Sequence, residues 1–262
     1  MLDALAGSLG VMLKRPFALV PIFIMMLALA LVSVFFQLEM LEFIYFMSTS
    51  EAPLSNPIHA MSYFLNTNPK GLFYIFDYAF LGLAAFLLIS IYYCRLILTK
   101  DKKGSIMSAL AFAFGSLWNI IVLLGTMLLF FVSASVILFV ITLLPISNIY
   151  LYFAIMFLFM LIFLVLYIRL FAFVIPALAE EKTNTKKALK KNWGFVNKHF
   201  WATLLLFFVL LLVLLLTGLL YNAAVEPFED NITVFSIFAL FGTFNAAYCL
   251  GTIALYYSKH ER

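Results

Sequence analysis

Six stretches of this 262-residue chain, at about 17–37, 72–95, 117–144, 149–175, 200–221 and 232–257, are almost continuously apolar. A bilayer core of about 30 Å is crossed by about 20 apolar residues in a helix. None of the six runs alternates with the two-residue period of a barrel strand. Lipid admits only segments that satisfy their own backbone, so each run predicts a transmembrane helix. Composition excludes a water-soluble alternative: 66% of residues are hydrophobic and 11% charged, with a mean hydropathy of +1.13. Soluble domains carry about 25% charge. The expected fold is all-α, a single polytopic transmembrane domain spanning residues 1–262. Lys14 and Arg15 precede the first run as they would in a signal peptide. That run continues through Phe35, Phe36 and Gln37 with no small-residue cleavage site, so it reads as a retained span. Runs three and four exceed a perpendicular crossing and should tilt. Only Pro145-Ile146-Ser147-Asn148 joins them, which makes a tight hairpin.

Charge orients the bundle. Lys14, Arg15, Lys100, Lys102, Lys103, the lysines of 182–198, Lys259 and Arg262 fall on one side of the six-span arrangement. The other side holds Lys70 and the acids Glu39, Glu42, Glu51, Glu226, Glu229 and Asp230. Basic residues near span ends stay in the cytoplasm, so both termini are expected there, in a multi-pass protein of the cell membrane. Aromatic residues should mark the two interfaces: Tyr74, Tyr78, Tyr150, Tyr152 and Tyr221 outside, Tyr92, Tyr93, Trp118, Trp201, Tyr256 and Tyr257 inside.

The stretch TNTKKALKKNWGFVNKHFW, residues 183–201, concentrates positive charge beside aromatics. On a helix over 185–200, Leu189, Trp193, Val196 and Phe200 form one stripe and Lys187, Lys190, Lys191 and Lys198 lie opposite. Thr185 is the expected N-cap. Such a helix lies flat in the cytoplasmic interface, with Lys187, Lys190, Lys191, Trp193 and Lys198 as candidate contacts to anionic headgroups. A basic loop that only obeys the positive-inside rule is the plainer reading. The device recurs at 2–15, where Leu2, Leu5, Leu9 and Leu13 share a face, and at 105–117, where Ile106, Leu110 and Leu117 do. Each segment carries an Ala-Leu pair, Ala4-Leu5, Ala109-Leu110 and Ala188-Leu189. The chain therefore reads as three units, each an interfacial helix followed by a helical hairpin.

The run YIRLFAFVIPALAEEKTNTKKALKKNWGFVNKHFW resembles the middle of the membrane domain attached to some glycerophosphodiester phosphodiesterases, and of related six-helix membrane proteins. The shared features are a span ending at a proline (Pro176), an acidic pair (Glu180-Glu181) and an Ala-Leu amphipathic helix (Ala188-Leu189) feeding the next span. The resemblance implies a membrane module. No part of the chain corresponds to the phosphodiesterase domain, so no catalytic residue carries over.

The polar residues suggest packing before chemistry. His59, His199 and His260 have no metal-ligand spacing, the two cysteines Cys94 and Cys249 form no framework, and no hydrolase or phosphate-loop motif occurs. No catalytic, metal or cofactor-binding residue is assigned and no cofactor is expected. Glu51 and His59 of the outside loop 38–71 are the only acid-base pair to weigh. Arg169 is expected to snorkel to the inner headgroups from span four. Asn245 falls mid-span among Gly242, Ala246, Ala247 and Gly251. It should hydrogen-bond another helix, with Ser133 or Ser135 at matching depth. The reading that follows is a noncatalytic membrane module that interacts with lipid or partner proteins. Its expected partners are anionic lipid headgroups, with protein partners or a homo-oligomer also open, and no nucleic acid. A small transporter or channel with a path near Asn245 is the first alternative, and a membrane-embedded lipid-modifying enzyme the second.

Overall fold

The computed structural model describes residues 1–30, 69–99, 106–142, 149–180, 184–227 and 231–261. Outside loop 38–71 lies almost wholly outside the described residues, so nothing bears on Glu39, Glu42, Glu51 or His59. Every regular element among the described residues is a helix. In chain order they are α1 (Leu2–Lys14), α2 (Pro16–Ala30, opening with a 3-10 turn over Pro16–Leu19), α3 (Pro69–Leu98), α4 (Ile106–Gly115) and α5 (Leu117–Thr142). There follow α6 (Ile149–Phe171), α7 (Val174–Glu180), α8 (Thr185–Lys198), α9 (Phe200–Val225) and α10 (Asn231–Glu261). Among the described residues five stretches are long and apolar enough to cross a membrane, and six when the bent pair α1–α2 counts as one.

The corner between α1 and α2, 99° wide, follows from sequence. Pro16 disfavours helical geometry at Arg15, whose backbone sits at φ −133 and ψ 60, so α1 must stop. Pro16 then suits the first turn of α2, where its missing N–H costs nothing. Pro21 brings no N–H to the next turn, and Tyr92 Oη of α3 donates to the Ala18 carbonyl at 3.2 Å.

Three helices meet at the centre: α3, α7 with the inner end of α6, and α10 pack on one another. Their convergence buries Tyr92, Tyr93, Phe173, Tyr256 and Tyr257 completely. This corrects the expectation that the four tyrosines form an interfacial belt. They are the core of the bundle's basic end, with Phe173 within 6 Å of both Tyr256 and Tyr257. Trp118 and Trp201, by contrast, are among the most exposed large side chains, as belt residues should be.

The short helices close this arrangement. α4 packs on α3, α8 on α6 and α7, and α1 on α10. Each interfacial helix therefore docks on the returning span of the unit before it, and the first helix closes the ring on the last. The docking face is not the leucine stripe. Leu2 and Leu13 are 75% and 82% exposed, while Ala4, Ser8 and Met12 face the bundle. On α4 the buried pair is Ala109 and Ala113; on α8 it is Ala188 and Asn192. The alanine of every Ala-Leu pair is thus buried, and so is the residue four places on. Small residues let backbones approach closely, while of the bulky stripes Leu5, Leu110 and Leu189 pack partly against the core and Leu2, Leu13 and Trp193 stay exposed. Gly251 shows how close: a Cβ there would be driven into Ser8 Oγ, and Ser8 itself donates to the Tyr248 carbonyl at 3.0 Å. At the far end of this contact, Lys259 pairs with Asp3 and holds its carboxyl below the usual carboxylate range.

Candidate functional site

The basic end gathers around α8. Asn184, not Thr185, caps it, accepting from the Lys187 N–H at 3.1 Å. Thr185 is freed to donate to the Asn119 carbonyl of α5 at 3.0 Å. Thr185, Ala188, Asn192, Phe195 and Val196 form the buried face. Asn192 is wholly buried and enters the backbone of the neighbouring helix. Its Oδ1 accepts from the Phe173 N–H at 2.7 Å and its Nδ2 donates to the Arg169 carbonyl at 2.6 Å. Those two groups are four residues apart and would otherwise bond to each other as a helical turn. Pro176 removes the adjacent bond to the Ala172 carbonyl. Span four, expected over 149–175, is one membrane-length stretch over Tyr150–Glu180 whose helical ladder is interrupted at residues 172–173, between α6 and α7.

Arg95 secures the far end of α7. Its Nη1 donates to the carbonyls of Ala179 and Glu180 at 2.9 and 2.7 Å, and its guanidinium lies 4.3 Å from the Phe112 ring of α4. One cation thereby fills two carbonyls orphaned by the helix end. Lys191 bridges Glu180 and Glu261, tying α8 to the ends of α7 and α10. It is therefore engaged by protein carboxylates, unlike the lipid-facing role expected for it.

Lys187, Lys190 and Lys198 stay outward, and Lys191 joins them at the groove's edge. Lys187, Lys190, Lys191 and Lys198 of α8, with His199, His260 and Glu261, surround a groove of about 460 Å³. Four lysines face one glutamate there. Lys187, Lys190 and Lys198 form no ion pair among the described residues. His260 Nδ1 lies 2.9 Å from the Tyr256 carbonyl, which can only accept, so Nδ1 carries the proton. The His199 and His260 rings stand 5.4 Å apart, edge to face. A cluster of this sign and size, with backbone support beneath it, suits a multiply charged anion such as a phosphate.

Trp193, 38% exposed, lies on a different side of α8. The Arg169 guanidinium sits 5.8 Å from its ring and 5.1 Å from that of Phe200. Arg169 is therefore held between two aromatic residues rather than extended freely to the interface. Asn245 does bond another span, but Thr217 of α9 donates to its Oδ1 at 2.9 Å. Ser133 and Ser135 are exposed, and Ser133 donates to the Leu129 carbonyl of its own helix at 2.7 Å. Among the described residues no three His, Cys, Asp or Glu side chains cluster as metal ligands.

Asn192, Arg95, Asn119 and Glu261 were not singled out by sequence.

Comparison with curated proteins and with solved structures returns no match. A family model matches from the connection between α5 and α6 to the end of α10, and so contains the whole basic groove and Arg169. Residues 144–261 match the membrane domain of glycerophosphoryl diester phosphodiesterase.

Proposed function

We propose that the chain is a noncatalytic membrane module, a single unit that recognises anionic lipid headgroups at the cytoplasmic leaflet through α8. The observation that carries this reading is the division of α8 into three sides. One side is fixed to the bundle by Asn192 and Thr185, one presents Leu189 and Trp193, and one presents lysines around the groove. A helix held this way keeps its lysines at headgroup depth without paying the ordering entropy of a free basic segment. The positive-inside pattern puts the same face toward the cytoplasm, where anionic lipid is available. Lipid organised on this face would be presented to partner proteins docking there.

The test is thermal unfolding of the full-length protein in detergent, titrated with phosphatidylglycerol or phosphatidylcholine. Phosphatidylglycerol should stabilise the wild type more, and the excess should shrink in high salt. Lys187→Gln/Lys190→Gln/Lys198→Gln should lose most of that excess. Equal stabilisation by both lipids, or an unaltered excess in the triple variant, would overturn the proposal.

A further inference from the structure

Gly194 stands in the lining of the lysine groove, and neither conformation nor packing calls for a glycine there. Its φ is not positive, it is exposed, and a Cβ would meet nothing within 4 Å. Gly251, by contrast, is held to glycine by Ser8. Glycine is the poorest helix former after proline, so α8 gains no stability from it in mid-helix. What it leaves is bare backbone in the groove. Lys190, Lys191 and Lys198 are its neighbours one turn away along α8, so they flank a space that no side chain fills. His199, His260 and Glu261 bring the start of α9 and the end of α10 to the same space.

Two features of this groove select among anions. The first is charge. Lys191 pairs with Glu261, while Lys187, Lys190 and Lys198 have no ion pair among the described residues. A carboxylate or a phosphodiester brings them one negative charge. A phosphomonoester brings about 1.5 to 2 at pH 7, on three terminal oxygens. The second is a proton. His260 Nδ1 donates to the Tyr256 carbonyl, so in the neutral ring Nε2 is an acceptor. A phosphomonoester, with a second pKa of about 6, still has a proton to share with it, and a phosphodiester has none. We propose that the groove is a discrete site for one phosphomonoester, seated over Gly194 between Lys190 and Lys198, with His260 on its residual proton. The proposal deepens the headgroup reading of α8 and rests on it, so the group belongs to a lipid of the phosphatidate type.

Native mass spectrometry of the full-length protein, titrated with dioleoylphosphatidate, dioleoylphosphatidylglycerol or dioleoylphosphatidylcholine, tests it. Phosphatidate should bind about tenfold more tightly than phosphatidylglycerol, as one further charge-assisted contact implies. Gly194→Gln keeps every charge and fills the open space. It should abolish the advantage of phosphatidate and leave the excess of phosphatidylglycerol over phosphatidylcholine unchanged. His260→Phe removes the acceptor and should reduce the advantage. A tenfold advantage that survives in both variants would overturn the proposal, because a diffuse basic surface also prefers the higher charge. So would equal binding of phosphatidate and phosphatidylglycerol to the wild type. If phosphatidylglycerol itself binds no better than phosphatidylcholine, the headgroup reading fails first. Displacement of phosphatidate by millimolar methyl phosphate would overturn the assignment to lipid and give the site to a soluble phosphomonoester.

Discussion

Asn192 sits inside the hydrogen-bond ladder of the helix it packs against, between the Phe173 N–H and the Arg169 carbonyl. A side chain inserted at that point fixes both the break between α6 and α7 and the position of α8. Asn192→Ala leaves two buried backbone groups without these partners and should cost about 1–3 kcal/mol. Asn192→Asp keeps the acceptor, loses the donor and buries a carboxyl, so it should be worse. Thermal unfolding in detergent reads both, and an unchanged midpoint for Asn192→Ala would show that the insertion is incidental.

The contact of α1 with α10 depends on one missing methyl group. Gly251→Ala should loosen the contact, because the new Cβ meets Ser8 Oγ, which can yield only by leaving the Tyr248 carbonyl, and comes within 3.3 Å of Ser8 Cβ. Limited proteolysis should then cut the α1–α2 corner faster. Adding Ser8→Gly should restore part of the protection while forfeiting the bond to the Tyr248 carbonyl. Equal cleavage of wild type and Gly251→Ala would contradict the close approach.

Asn245 and Thr217 form a bond between spans. Asn245→Leu and Thr217→Val should each cost about 0.6–2 kcal/mol, and the double variant should cost less than their sum. Strict additivity in that cycle would mean that the two side chains do not interact.

The expected orientation rests on the basic end. With Cys94 and Cys249 replaced, Lys187→Cys should resist an impermeant thiol reagent in intact cells, and Glu226→Cys, exposed at the other end of α9, should react. The reverse pattern would invert the topology.

The spans were legible because length and hydropathy are local properties: α5, α9 and α10 begin within one residue of the runs that predicted them. The corner at Arg15–Pro16 is local too. The break at 172–173 was only partly legible: Pro176 is local, but Asn192, which takes up the Phe173 N–H, lies in another helix, 19 positions away. The interfacial helices were recognised by their large apolar residues, of which some, such as Leu2 and Leu13, are exposed and others, such as Leu5 and Leu189, pack partly against the core. The docking face uses alanine, serine and asparagine, whose burial no hydrophobicity pattern reveals. In the same way Tyr92, Tyr93, Tyr256 and Tyr257 read as belt residues until the convergence of α3, α7 and α10 was known. Four of the five α8 residues expected at headgroups remain outward; Lys191 is the exception because Glu180 and Glu261 arrive from distant parts of the chain.

Lysine footprinting tests the role of α8 most directly. The full-length protein in nanodiscs of phosphatidylcholine, with or without phosphatidylglycerol, is treated with a water-soluble amine reagent, and each lysine is quantified by mass spectrometry. Phosphatidylglycerol should slow modification of Lys187, Lys190 and Lys198 about fivefold, as roughly 1 kcal/mol per lysine at an anionic surface implies, and high salt should reverse the effect. Identical modification rates in the two membranes would contradict headgroup recognition by α8.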